Sequence, residues 1–251
     1  MRDFARGTAQ EHLDGPVFRS GSPMRLFTRL ATHGRVLGPD LPPPGPGTAV
    51  EAARSRATSW MLAHLARATS SAHAVIDEAV MAVAEEPTLA SYRYLLARLY
   101  GFDAPLLANL LVTPGLDLSL LANRPRASDL ANDLLALGIT PREATMLQRR
   151  HEVPRFACVA EALGWLYASE RITLCHPMIR ARLRAVLPGA LKVAGAYVGR
   201  TRTPHVAWTQ LGRYLDRIAT CELVAAQIVD AADAALASQR RWFDATALDV
   251  L

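Results

Sequence analysis

Residues 70–83 read Ser70-Ser-Ala-His73-Ala-Val-Ile-Asp77-Glu-Ala-Val80-Met-Ala-Val83, with neither glycine nor proline. This run of helix-favouring residues predicts a helix from about Thr69 to Ala84. The i, i+3, i+7 spacing places on one face of that helix His73, Ile76, Val80 and Val83. Because residues four apart on a helix are neighbours, Asp77 is expected to accept a hydrogen bond from Nδ1–H of His73 and leave Nε2 bare. A metal-bound imidazole uses this arrangement, so His73 is a candidate metal ligand.

An ordinary structural role competes with that interpretation. A single histidine on an apolar stripe is more often a core or surface residue than a ligand, so the rest of the chain has to decide.

Composition indicates a globular protein. The chain has 251 residues, of which 51% are hydrophobic and 20% charged, enough for one domain with a substantial core. No apolar run approaches the roughly 20 residues that span a bilayer. The first residues lack the apolar core of a secretory signal. The three cysteines have no close pairing, which does not suit a disulfide framework or a zinc knuckle. We therefore expect a reducing, cytoplasmic location and no membrane span.

The charge balance does not favour nucleic-acid binding. The formal net charge is +5, but the basic residues are scattered among acids and form no basic cluster interleaved with aromatics. Almost all are arginine, which pairs well with carboxylates, so the surplus is equally compatible with an acidic small ligand.

Two regions differ in composition. Residues 1–50 are rich in proline and glycine, as in the run at 41–47, and predict an irregular extension. Residues 51–251 have helical periodicity, and no stretch alternates with period two, so we predict an all-α domain. Pro177 predicts a kink near Thr173–Pro177. The predicted helices cover about 49–67, 69–84, 89–100, 104–111, 128–138, 155–187, 204–218 and 221–243, with a further start at 141. Thr88 and Thr140 are the expected caps of the helices that begin at 89 and 141, and Gly101 is expected to end the helix over 89–100.

Several stretches follow one another in an order that resembles a known family. They are Leu65-Ala-Arg67-Ala-Thr69-Ser-Ser-Ala-His73, residues 92–102, residues 126–138 and Gly164-Trp-Leu-Tyr167-Ala-Ser-Glu170, followed by Tyr197, residues 208–215 and Trp242-Phe243. Over about residues 58–245 the chain resembles the bacterial, biliverdin-producing branch of the haem oxygenase family. The resemblance implies a haem oxygenase-like multi-helix bundle.

The resemblance also implies a cofactor and a reaction. His73 would be the proximal ligand of haem iron through Nε2, a neutral imidazole of the kind globins use, with Asp77 bonded to its ring. Haem would lie between the His73 helix and the long kinked helix. The implied reaction uses O₂ and an external reductant to open haem to biliverdin, CO and iron, with a ferredoxin- or flavoprotein-type electron donor.

The distal stretch departs from the family pattern. The family has a glycine-rich segment over the iron, whereas this chain has Arg171, Cys175 and His176 at the expected glycines. Three outcomes stay open: a rebuilt and active pocket, haem closed to O₂ with His176 as a second axial ligand, or no haem at all. The candidate catalytic residues on this stretch are Glu170, Arg171, Thr173, Cys175 and His176. The candidates for binding the haem propionates are Arg67, Arg180, Arg184, Lys192, Tyr197 and Arg200.

Other chemistries have less support. A di-iron site needs paired Glu-x-x-His motifs, which the sequence lacks. Cys158 lies in an apolar run and suits a core position. Cys175 adjoins His176, but neighbours on a helix point about 100° apart and seldom pair. The remaining hypotheses are a haem oxygenase, a non-catalytic haem-binding or sensing protein, and a haem-free interaction scaffold.

Overall fold

Helices are the only regular elements in the part of the chain that the structure, a computed structural model, describes: residues 59–122, 124, 127–150, 152–200 and 204–244. The predicted all-α class is confirmed. The proline- and glycine-rich extension predicted at 1–50 lies outside the described residues.

The helices follow one another along the chain with short connections. Their bounds are α1 Trp60–Ala68, α2 Ala74–Glu85, α3 Leu89–Leu111, α4 Ala127–Ala136, α5 Pro141–Arg150, α6 Val159–Thr173, α7 His176–Val186, α8 Pro188–Val193, α9 Ala196–Arg200, α10 Pro204–Ile218 and α11 Glu222–Asp244, with a 3₁₀ turn at Leu118–Leu121 between α3 and α4.

Local start signals predict several of these bounds correctly. Thr88 caps α3, since its side chain accepts a hydrogen bond from the Ser91 amide at 3.0 Å. At α5, Thr140 and Glu143 form a reciprocal cap: the Glu143 carboxylate accepts from the Thr140 amide at 2.7 Å, and the Thr140 hydroxyl accepts from the Glu143 amide. Such caps satisfy amides that have no partner inside the helix.

Gly101 does not end a helix, contrary to prediction. α3 continues through Gly101 and Pro105 to Leu111. A Cβ at position 101 would overlap the ring of Trp242 on α11. The glycine therefore provides space for an aromatic side chain from a distant part of the sequence, which local helix signals cannot indicate.

The predicted kink near Pro177 is a complete break. α6 ends at Thr173 and α7 begins at His176, with Pro177 in its first turn. Proline is tolerated there because a first-turn amide has no partner within its own helix. The single helix predicted over 155–187 is thus two helices.

α6 runs through the centre of the bundle and packs along α11. Gly164 allows their close approach, since a Cβ at that position would lie 2.6 Å from both the Cβ of Ala231 and the amide nitrogen of Ala232. α6 also packs against α3 and α10, while α2 packs against α7, α3 and α11. Within the described ranges, no helix has both the length and the apolar character that crossing a bilayer requires.

Candidate functional site

His73 lies in the turn between α1 and α2 rather than inside a helix. It is the residue before α2, preceded by turn residues 69–72, and its side chain is buried. Its Nε2 lies 2.9 Å from the Thr69 hydroxyl oxygen, and its Nδ1 is buried without a hydrogen-bond partner. The predicted hydrogen bond from Nδ1 to Asp77 is therefore wrong, as is the continuous helix from Thr69.

Asp77 instead pairs with Arg171. Nη1 of Arg171 donates to Oδ1 of Asp77 at 2.7 Å, and Nη2 donates to Oδ2 at 2.9 Å. The pair connects α2 to α6, and each side chain is only 11% exposed. Burial raises the pKa of Asp77, although the hydrogen bonds and charge of Arg171 oppose that shift. The Asp77 carboxylate, which was expected to orient His73, therefore pairs with the charge of Arg171. At position 171 the resemblance implies a glycine.

The buried imidazole of His73 is neutral. Burial, together with the charge of Arg171, lowers the pKa of His73 to about 3. The ring lies near Tyr167 of α6, with centroids 6.4 Å apart. A neutral imidazole is the form that binds a metal, but here the Nε2 atom is already paired with a hydroxyl.

His176 is fully buried at the start of α7 and packs edge-on against Tyr197, with ring centroids 4.8 Å apart. Neither ring nitrogen has a hydrogen-bond partner, and burial lowers the pKa of His176 to about 3. The adjacent Cys175 is buried, which raises the pKa of its thiol to about 12. The thiol stays protonated, so the two neighbours do not form a nucleophile and base.

Glu170 and Tyr197 belong to a polar group that includes two residues the sequence did not single out, Asp103 and Arg124. Arg124 Nε lies 3.0 Å from Oε1 of Glu170. Asp103 accepts from the Tyr197 hydroxyl at 3.2 Å and from the Ser169 hydroxyl at 2.8 Å. Asp103 lies about one helical turn from the buried Leu99 and Leu106, on the same face of α3, and this spacing indicates a core-facing position. Nothing in the neighbouring sequence indicates its hydrogen-bond partners.

Burial raises the pKa values of both carboxyl groups in this region. The pKa of Glu170 rises to about 7, with Arg124 opposing the shift. The pKa of Asp103 rises to about 6, with hydrogen bonds from Ser169 and Tyr197 opposing it. Both groups therefore change charge near neutral pH.

The other candidates do not gather around His73. Thr173 donates to the Glu170 carbonyl at 2.7 Å, a contact within its own helix. Arg67, Arg184 and Lys192 are exposed, and Arg180 is partly buried. Arg200 ends α9, and its side chain lies outside the described part of the structure. None of the contacts among the described residues connects these basic side chains to His73.

A cavity of about 350 Å³ opens beside α6, lined by α3, the 3₁₀ turn and the beginning of α4. Its walls are mostly leucine, and its polar residues are Asp103, Arg124, Ser169 and Glu170. His73 and His176 are not among its lining residues. In the ranges that the structure describes, no three or more His, Cys, Asp or Glu side chains are grouped to hold a metal ion.

The arrangement around His73 does not fit haem as the resemblance implies it. The unpartnered Nδ1 of His73 agrees with a ligand role. However, Nε2 is occupied by Thr69, and the Asp77–Arg171 pair connects the two helices between which haem would lie. A porphyrin there would have to displace both contacts.

Comparison with known proteins adds no family to these observations. No protein-family model, no curated protein and no solved structure matches the chain. The resemblance to haem oxygenases therefore stays a prediction.

Proposed function

We propose that this protein is a haem-free ligand-binding scaffold, a helical bundle of haem oxygenase-like design whose space between α2 and α6 is closed. The ion pair between Asp77 and Arg171 carries the haem-free part of the proposal, and the leucine-lined cavity beside α6 supports the ligand-binding part. The cytoplasmic location predicted from the sequence is part of the same proposal.

The energetics of that pair support closure. Separating one partner from a buried ion pair typically costs about 3–5 kcal/mol, because the remaining charge is left without compensation. Haem would have to supply that free energy in addition to replacing the Thr69 contact of His73. Side chains of this size in a close-packed interior are not absorbed without backbone shifts.

Haem binding through His73 is the second candidate. It is favoured by one observation, the buried neutral imidazole whose Nδ1 has no hydrogen-bond partner. If that candidate is correct, O₂ and a ferredoxin- or flavoprotein-type donor remain its expected partners.

Titration of the full chain with ferric hemin distinguishes the two candidates. We expect the wild type and His73→Ala to show the same weak, non-saturating change in the Soret band. A saturable equimolar shift that His73→Ala removes would overturn the proposal. Biliverdin formation after addition of reductant and O₂ would then identify an oxygenase.

A second set of variants tests the closing role of the ion pair itself. The double variant Asp77→Ala/Arg171→Gly removes both charges and the large side chain, and we expect it to gain hemin binding that depends on His73. The matched control is Arg182→Ala, because Arg182 on α7 also contacts the α2 segment, through the carbonyls of Ala84 and Glu85. The control should leave hemin binding unchanged. Absence of any gain in the double variant would contradict closure by this pair.

A further inference from the structure

We propose that the leucine-lined cavity beside α6 binds a neutral amphipathic molecule, whose apolar body lies among the leucines and whose polar end donates to Glu170 and accepts from Arg124. An alcohol or a primary amide on an alkyl body has this chemistry. The inference names the ligand class of the binding role proposed above and in that respect rests on it.

The walls of the cavity are suited to an apolar body. Four leucines of α3 line one side, at positions 106, 107, 110 and 111, and Leu118, Leu121 and Leu166 line the rest. The volume of about 350 Å³ falls in the range of small-molecule pockets, which begins at roughly 300 Å³. Two leucines of the lining, Leu111 and Leu118, are 51% and 48% exposed. Covering them with an alkyl chain removes apolar surface from water.

The polar end of the cavity has buried donor and acceptor atoms that make no hydrogen bond. Arg124 Nε lies 3.0 Å from Glu170 Oε1 in an ion pair but forms no hydrogen bond with it, and Arg124 Nη2 donates to the Ala207 carbonyl at 3.4 Å. Its Nη1 atom and Oε2 of Glu170 are buried without hydrogen-bond partners. Both residues are only 3% exposed. Buried polar atoms are nearly always hydrogen-bonded, and leaving them unpaired is costly, so these two atoms point to a ligand that pairs with both.

The charges at this end favour a neutral head group. Among the described residues that line the cavity, Arg124 is the only basic one, and Asp103 and Glu170 both face the same space. An anionic head would meet two carboxyl groups, while an ammonium would lie beside the guanidinium and leave Nη1 unpaired. Because burial raises the pKa values of both carboxyl groups, the site itself disfavours additional charge. A hydroxyl or an amide pairs with both free atoms.

Four probes with the same six-carbon chain test the head-group preference: hexan-1-ol, hexanamide, hexylamine and hexanoate. They are titrated into the full chain near neutral pH and followed by calorimetry and saturation-transfer NMR. We expect the alcohol and the amide to bind at least about tenfold more tightly than the two charged probes, the ratio that one lost hydrogen bond commonly produces. Absence of binding, or equal binding of all four probes, would overturn the proposal.

Variants locate the binding in the cavity. Leu107→Trp fills the space from a partly buried position and should abolish binding of the alcohol. The matched control is Leu135→Trp, because Leu135 of α4 is 41% exposed and lies outside the lining. If circular dichroism shows that Leu107→Trp loses its fold, Leu121→Trp on another wall replaces it. Binding that persists in a folded, filled variant would contradict the location.

A double variant tests the polar end separately. Arg124→Met/Glu170→Met removes both members of the ion pair together, which avoids leaving one buried charge alone. We expect it to bind the alcohol less tightly and to lose the preference for alcohol over the charged probes. An unchanged preference would contradict the assigned roles of the two side chains.

The outcome of this experiment is distinct from that of the hemin titration. His73 does not line the cavity, so hemin binding that depends on His73 overturns the haem-free proposal without affecting the alcohol result. Failure of all probes, with no hemin binding either, overturns only the present inference.

Discussion

Arg171 contacts both carboxylate oxygens of Asp77, at 2.7 and 2.9 Å, and thereby connects the central helix α6 to α2. The sequence suggested a different partner for Asp77, one turn away on its own helix. The observed partner is 94 residues away in the chain. The function proposed above depends on this long-range pair.

The ion pair predicts a strongly non-additive mutant cycle. Arg171→Met and Asp77→Leu should each lower the free energy of unfolding by about 3–5 kcal/mol, because each removes one member of a buried ion pair and keeps the other. The double variant should recover most of that loss, since it replaces the pair by apolar side chains. Urea unfolding curves of the four proteins measure the coupling. Additive losses would contradict the assignment of the pair as buried and mutually dependent.

The contact between Thr69 and His73 predicts one tautomer of the imidazole. The Thr69 hydroxyl donates its only hydrogen to the Leu65 carbonyl at 2.8 Å, so its oxygen accepts from Nε2–H of His73 at 2.9 Å. We therefore expect the Nε2–H tautomer, with the unshared pair on Nδ1. Nitrogen-15 NMR identifies it, with assignment by the loss of signal in His73→Ala. An Nδ1–H signal would contradict the prediction and would free Nε2 for a metal.

The burial of His176 predicts a dependence of stability on pH. Its folded pKa of about 3 lies below the ordinary value of 6.5, so between these values the unfolded state binds a proton that the folded state does not. The contribution of neutral His176 to the free energy of unfolding therefore decreases as pH falls below 6.5. When pH is lowered from 7.5 to 5.0, the free energy of unfolding of His176→Phe should rise relative to that of wild type by about 2 kcal/mol, at 1.36 kcal/mol per pH unit below 6.5. Urea midpoints at both pH values measure the difference.

The comparison of variant with wild type isolates His176 from other titrating groups. The raised pKa values of Asp103 and Glu170 act in the opposite direction, so that their contribution to stability falls as pH rises. Both carboxyl groups are present in wild type and in His176→Phe, so their contributions to the difference in unfolding free energy largely cancel. If the difference in unfolding free energy between variant and wild type does not change with pH, His176 has the same pKa in the folded and the unfolded protein, and the prediction is wrong.

Two helical glycines, one inside the long α6 and one near the end of the short α9, are predicted to respond in opposite ways to alanine. Gly164→Ala should destabilise the protein, because the added Cβ would lie 2.6 Å from backbone and side-chain atoms of α11. Gly199→Ala meets nothing within 4 Å and should stabilise α9 by about 0.5–1 kcal/mol through helix propensity. Thermal melts of the two variants measure both effects. A stabilised Gly164→Ala would contradict the close contact of α6 with α11.

The sequence was most informative where structure depends on neighbouring residues. The caps at Thr88 and Thr140 and the bounds of α10 were predicted from local signals, and all are observed. The break before Pro177 was predicted as a kink, because a proline limits its own helix wherever it lies. Helix class and core-facing stripes follow from periodicity, which is also a local property.

Predictions from the sequence were wrong where a residue contacts a part of the chain that is distant in sequence. Gly101 suggested a helix end but provides space for Trp242, and Asp77 suggested a partner for His73 but pairs with Arg171. No sequence pattern predicted a functional role for Arg124 or Asp103, although both line the cavity with Glu170. Each contact joins residues far apart in the chain, and spacing within one helix carries no information about them.

By itself the sequence determined an all-α protein and, to within one residue, the starts of α3, α4, α5, α10 and α11. It also placed Glu170 among the residues of interest. Only the tertiary structure decided what the buried polar residues contact: Arg171 pairs with Asp77, His73 with Thr69, and Glu170 lines a cavity. The physical reason is that helix formation depends on hydrogen bonds and propensities within a few residues. The partner of a buried charge depends instead on how whole helices pack.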